Sequence, residues 1–179
     1  LCSFIGCNKN EILVSSTGVI GELFDPTMII NSINKINFKK SSTILDAAMA
    51  IMTTDTYPKI STKKFKINNN TFKIYGFAKG SGMIQPNMGT MLAYIFIEPK
   101  VSSTSLKKLL LNNINDTFNS ISVDSDTSTS DTVFLFSTNV SKYVCNSKRD
   151  LKVLNSNLFE LMKDLSLKVI KDGEGISKL

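Results

Sequence analysis

The 179-residue sequence contains no histidine and no tryptophan. The missing imidazole closes off much familiar hydrolytic and metal chemistry at once. A Ser-His-Asp triad, a Cys-His pair and an HExxH zinc helix all require it. Cysteine is scarce as well. Cys2, Cys7 and Cys145 are odd in number and show no CxxC spacing, which leaves no Cys/His zinc site. Buried free thiols in a reducing compartment are the expectation: cytoplasm, or an organelle matrix after removal of a transit peptide. No apolar run approaches the ~20 residues of a membrane span, and the first residues do not read as a secretory signal. Neither a Walker GxxxxGK[ST] nor a GxGxxG follows a strand; "KGSGM" has two glycines in that style, with its lysine on the wrong side.

What is present suits one globular domain: 42% of residues are hydrophobic and 20% charged. The chain starts at Leu1 inside an apparent strand and stops at Leu179 just after a helix end, so it reads as a fragment cut at both ends. A net charge of +6 comes mostly from lysines scattered as Lys39-Lys40, Lys63-Lys64, Lys107-Lys108 and Lys148-Arg149. A nucleic-acid binder concentrates its cations on one face with aromatics between them, so a solvated lysine surface is expected, with neither nucleic acid nor membrane as partner. Small anionic substrates fit the same sign.

Leu1–Ile5 and Ile12–Ser16 read as strands around an Asn8-Lys9-Asn10 turn. Asp25-Pro26 is a helix start followed by Ile29, Ile30, Ile33 and Ile36 at helical spacing. "SSTILDAAMAIMTT" is small and apolar nearly all round and predicts a buried helix. Lys63–Ile67 and Thr71–Phe77 alternate around "NNN" as a hairpin, and Thr90–Ile97 reads as an apolar strand. Ser105–Ile121 is an amphipathic helix and "DTVFLFST" a strand. Leu151, Leu154, Leu158, Leu161, Leu165 and Val169 form the stripe of a long last helix, stopped at Gly173. The mixture lacks regular βαβ alternation, so a layered α+β sandwich is expected.

Without histidine, one route to an activated hydroxyl remains open. An N-terminal threonine can use its own α-amino group as base, whose pKa of roughly 7.7–8.0 lies near working pH. Thr90 is internal, so the route requires cleavage of the Gly89–Thr90 bond. The hydroxyl attacks the preceding carbonyl, an N→O acyl shift gives an ester, and water hydrolyses it; Gly89 leaves room for the attack. Taken alone, a threonine opening a strand is ordinary. "SSTGVIG" is a second candidate, because a strand ending in Thr17-Gly18 can aim a hydroxyl and N–H groups outward as an oxyanion hole. Any strand-to-turn passage can look similar. "MTTDT", Lys79 among glycines and "DGEG" around Glu174 are polar spots in small-residue company, each equally readable as a cap or a turn.

Together, "STGVIGE" (16–22), "DAAMAIMTTDTYPK" (46–59), "KGSGMIQPNMGTML" (79–92), "DTSTSDTV" (126–133) and "DGEG" (172–175) closely resemble the ornithine acetyltransferase family, the bifunctional glutamate N-acetyltransferases of arginine biosynthesis. The resemblance runs the length of the chain in the right order. It implies an α-β-β-α sandwich shared with certain self-processing aminopeptidases, and self-cleavage before Thr90 into α and β chains. Residues 1–89 would then be the C-terminal part of the α chain and 90–179 the N-terminal part of the β chain. It implies Thr90 as nucleophile, Thr17 and Gly18 as the oxyanion hole, and Thr53, Lys79, Thr90 and Glu174 as substrate-binding residues. Lys79 would pair with a substrate carboxylate and Glu174 would hold an amino group.

The implied reaction moves the acetyl group of N2-acetylornithine to glutamate through an acetyl-Thr90 intermediate. It needs neither metal nor resident cofactor, with acetyl-CoA a substrate only in the bifunctional version. Associated α and β chains, as a heterotetramer, are the implied assembly. The alternatives are a related N-terminal-nucleophile amidase or aminopeptidase, or an inactive fragment. Gly89 stands where the family usually has Ala, and Ser130 where it usually has Asn. The family's C-terminal Asn and Thr of the substrate site, and the N-terminal part of its α chain, are missing from this sequence. We predict that full-length protein cuts itself between Gly89 and Thr90 and that Thr90→Ala stays whole. Intact mass spectrometry checks this: a single uncut chain with full activity would remove the basis of the mechanism.

Overall fold

The computed structural model describes residues 1–18, 21–23, 25–37, 39–82, 91–123 and 128–173. Its centre is a four-stranded sheet in the order β1-β2-β3-β4. β1 (Lys59–Ile67) and β2 (Asn70–Lys79) form an antiparallel hairpin around Asn68-Asn69, with Asn68 at φ 53 in the left-handed region that asparagine tolerates. β2 pairs antiparallel with β3 (Leu92–Ile97), and β3 pairs parallel with β4 (Thr132–Ser137). A parallel neighbour needs a crossover. The chain makes it through α4 (Ser103–Ile114), whose cap is Ser102 accepting from the N–H of Ser105.

The long helix α5 (Lys148–Lys171) lies on one face of the sheet, against β1 and β2. Leu154, Leu158, Leu161, Leu165 and Val169 are all fully buried, as the sequence stripe predicts. Each contributes about 1.5–3 kcal/mol by leaving water. They meet Phe65, Ile67, Phe72, Ile74, Ala93, Ile95 and Ile97 from the strands. The opposite face carries an aromatic band: Tyr75 stacks on Phe96, Phe77 on Tyr94, and Phe96 on Phe136, with centroids 5.4, 5.1 and 5.2 Å apart. Apart from Phe77, these rings keep part of their surface in water. No helix among the described residues is long and apolar enough to cross a membrane.

Several elements depart from the sequence reading. Leu1–Ile5 is no strand; Cys2–Ile5 is one helical turn, α1, closed by Gly6 at φ 78. A five-residue apolar run does not separate the two periods, and the left-handed glycine decides it. Ile12–Ser16 forms no strand and has no ladder partner among the described residues, although Ile12 itself is extended. Helix α2 (Pro26–Ile33) starts where expected, with the Asp25 carboxylate accepting from the N–H of Thr27 at 2.9 Å. Helix α3 (Ile44–Ala50) is not buried: Ala48 alone is in the interior, while Leu45 and Met49 are 46% and 56% exposed. The expected helix to Ile121 ends at Ile114, followed by a 3-10 turn at Phe118–Ser120. Thr117 Oγ1 donates to the Asn113 carbonyl at 2.7 Å, and burial of Phe118 turns the chain inward. β1 starts earlier than predicted, at Lys59, while ending at Ile67 as expected, and β2 extends at both ends, from Asn70 to Lys79. Of the three free cysteines, only Cys145 is buried, and burial lifts its thiol pKa to about 11.

Gly76 lies where β2 is squeezed between β3 and α5. A Cβ there would sit 2.8 Å from the Tyr94 carbonyl oxygen and 3.3 Å from Leu165 Cδ1. The backbone contact cannot yield without moving the ladder. We predict that Gly76→Ala destabilises the fold by about 1–3 kcal/mol, the usual cost of overpacking. A thermal melt measures it, and an unchanged midpoint would contradict the close approach.

Candidate functional site

Four strand ends gather at one edge of the sheet. β1 begins at Lys59, opposite Ala78, and β2 ends at Lys79, opposite Leu92. Leu92 opens β3 and pairs with Thr132, which opens β4. The residue after α5, Asp172, arrives at the same edge, as does the Thr53–Thr56 loop that follows α3.

The middle of this edge is a lysine between carboxylates. Lys59 occupies an inward position of β1, on the α5 side with Phe65 and Ile67, and none of it reaches water. Its ammonium donates to Asp55 Oδ1 at 2.6 Å and to Asp172 Oδ2 at 2.5 Å, and lies 4.9 Å from the Tyr57 ring centre. Asp55 also accepts from the N–H of Gly80 at 2.7 Å and of Thr53 at 3.2 Å. Asp172 accepts from the N–H of Thr56 at 2.9 Å and from the Thr56 hydroxyl. Burial pushes both acids up, but these bonds and the Lys59 charge hold each below the ordinary aspartate pKa.

Lys79 sits just beyond this cluster. It alternates with Ala78, so its side chain takes the aromatic face of the sheet, yet it is only 3% exposed. Burial lowers its pKa; Asp55 and Asp131 oppose that, and Lys59 adds to it. Gly80 follows at φ 145, a conformation that favours glycine. Beyond it the buried Ser81 hydroxyl meets Thr54 Oγ1 at 2.7 Å. Across the edge, Asp131 Oδ1 accepts from the N–H of Met91 at 2.6 Å, and the Met91 carbonyl accepts from the N–H of Thr132 at 3.0 Å.

Of the residues singled out by sequence, Lys79 and Thr53 both border this cluster, although the Thr53 side chain is exposed. Thr17 is half-buried and Gly18 exposed. Their segment touches the sheet through Ser15 Oγ, 2.5 Å from the Tyr94 hydroxyl and on the face that Lys79 shares. Gly89, Thr90 and Glu174 lie outside the described residues. Thr90 precedes Met91, and Glu174 follows Asp172 by two positions. Asp55, Lys59, Asp131 and Asp172 are the residues that sequence reasoning missed. One signal was available: a lysine in phase with Phe65 and Ile67 on the inward side of a strand requires an anionic partner.

The model of the ArgJ family matches residues 1–179. The chain belongs to this family. It is 44% identical over 175 residues to the arginine biosynthesis bifunctional protein ArgJ of Bartonella henselae, covering 96% of this chain and 43% of that protein. It is 41% identical over 182 residues to the protein of that name from Agrobacterium fabrum, covering 98% and 44%. A glutamate N-acetyltransferase of Methanocaldococcus jannaschii is 41% identical over 175 residues, covering 96% and 43%. The chain therefore spans less than half the length of the curated ArgJ relatives it matches. Among solved structures, the PH0078 protein of Pyrococcus horikoshii OT3 matches at TM-score 0.41 and 8% identity over 65% of this chain and 40% of that one, which carries no argument.

The depressed carboxylates give the edge a pH signature. A folded-state pKa below the unfolded value contributes stability that is present above about pH 3.9 and is lost as pH falls through the folded value. We predict a urea midpoint that declines below about pH 4, with a shallower decline in Asp172→Asn. Identical acid limbs for the two proteins would show that Asp172 carries no such linkage.

Proposed function

We propose that this chain supplies the nucleophile and part of the amino-acid pocket of an acetyltransferase of arginine biosynthesis, moving acetyl from N2-acetylornithine to glutamate. One observation carries the reading. In a chain of the ArgJ family, the buried cation Lys79 lies across the ladder from Leu92, two residues after Thr90. A cation so placed suits the carboxylate of an amino-acid substrate next to a reacting hydroxyl.

In this scheme Gly89–Thr90 is cleaved, leaving residues 1–89 in an α chain and 90–179 in a β chain that stay associated as a heterotetramer. The freed α-amine of Thr90 takes the hydroxyl proton while Oγ attacks the acetyl carbonyl. Negative charge on the carbonyl oxygen is met by Thr17 and Gly18. The C–N bond breaks, ornithine leaves with the proton, and the amine of glutamate then attacks the acetyl ester and restores Thr90. Lys79, Thr53 and Glu174 bind the substrate. No metal or resident cofactor enters the scheme, and acetyl-CoA enters only as an alternative acetyl donor. The compartment is cytoplasm, or an organelle matrix in a eukaryote.

The finer architecture belongs to the same proposal. α5 covers one face of the sheet, and the aromatic band on the other suits a second sheet packed at about 10 Å, as in an α-β-β-α sandwich.

The test uses full-length protein with N-acetylornithine, with and without glutamate. Acetylglutamate formed in step with ornithine is expected; ornithine and acetate released at full rate without glutamate would favour an amidase. Lys79→Met should still cleave itself, since cleavage involves no free amino acid. Its kcat/KM should fall by more than tenfold, because a charge-assisted hydrogen bond is worth about 1.5–3 kcal/mol. Near-normal kinetics in a fully cleaved Lys79→Met would remove Lys79 from the pocket.

A further inference from the structure

We propose that Lys59, clamped between Asp55 and Asp172, is a positioning residue that sets the amino-acid pocket without touching substrate; the role of that pocket rests on the function proposed above. The cluster is costly to build. Three charged side chains leave water together, with 0% of Lys59 and Asp55 and 2% of Asp172 exposed. A buried ion cluster seldom gains stability over well-packed apolar side chains, so holding elements together does not explain it. What it supplies is direction.

The three members come from three separate segments: the loop after α3, the first residue of β1, and the residue after α5. Lys59 joins the two carboxylates, and each carboxylate also accepts from backbone N–H groups, Asp172 from a hydroxyl as well. Asp55 holds the N–H of Thr53 and of Gly80. Thr53 is itself a proposed binding residue, and Gly80 directly follows Lys79 in a conformation that depends on glycine. Asp172 holds Thr56 through both its N–H and its hydroxyl, and Glu174 lies two positions further along the chain. One ammonium therefore joins the carboxylate that holds the backbone of Thr53 and of Gly80, next to Lys79, to an aspartate two positions before Glu174. An apolar replacement would fill the space but would leave those segments unoriented. Both aspartates are held below their ordinary pKa despite burial, so the two carboxylates stay ionised across neutral pH.

The experiment uses full-length protein. Lys59→Met alone strands two buried carboxylates and so destabilises the fold; the deciding variant is therefore the neutral triple Asp55→Asn/Lys59→Met/Asp172→Asn, paired with Asp172→Asn. In folded, self-cleaved triple variant we expect KM for both N-acetylornithine and glutamate to rise about tenfold or more, with kcat changed far less, and Asp172→Asn to fall between it and wild type. Hydrogen exchange of the Gly80 and Thr56 amides should accelerate in step. Unchanged KM in folded, cleaved triple variant would overturn the proposal. If the wild-type protein transfers no acetyl group, the proposed function fails, and amide exchange decides the positioning claim alone. Gly80 and Thr56 protection equal to wild type in the triple variant would overturn it.

Discussion

An ammonium group cannot be taken out of water without a counter-charge, and Lys59 has none of its surface in water. That constraint organises one end of the sheet. It draws Asp55 back from the loop after α3 and Asp172 down from the end of α5, so that the hairpin, the helix and the loop close at one point. Lys79, Gly80 and the start of β3 lie at the border of that closure. The hydrophobic stripe of α5 sets where the helix lies on the sheet, and the ion cluster sets how it ends.

The two faces of the sheet differ in character. Its α5 face is an apolar core, with Gly76 where β2 comes close to both β3 and α5. Its other face carries Lys79, the stacked aromatics and the Ser15–Tyr94 contact that brings in the segment ending at Thr17 and Gly18. In the proposed mechanism, charge development would thus occur on the aromatic side, while the α5 side keeps the ladder from shifting. Such a division suits a reaction in which an oxyanion must meet donors already in place.

The legible parts of the sequence were those governed by strong local rules. The α5 stripe repeats over about five turns and could be read directly. The Asp25-Pro26 start of α2 follows from capping chemistry, and the hairpin from its alternation around consecutive asparagines. Short apolar runs were not legible. Leu1–Ile5 suits either period, and only Gly6 in the left-handed region makes it a helix. Helix α3 reads as buried because it is small and apolar nearly all round, yet Ala48 turns inward while Leu45 and Met49 stay exposed. At the site, Lys79 stood out by its glycine company. Asp55 and Asp172 did not: Asp55 lies four positions from Lys59, but Asp172 meets that lysine across 113 positions, a contact no local spacing encodes. Lys59 could have been caught by phase alone, as a cation on the inward side of β1.

The central claim is that acetyl passes through Thr90. The direct measurement is the mass of the β chain of full-length protein after brief exposure to N-acetylornithine with no glutamate present. The account predicts a β chain heavier by one acetyl group, with the modification on its first residue, and loss of that group when glutamate is added. Acetylglutamate formation at full rate, with no acetylated β chain at any time and both substrates required together before ornithine is released, would contradict it.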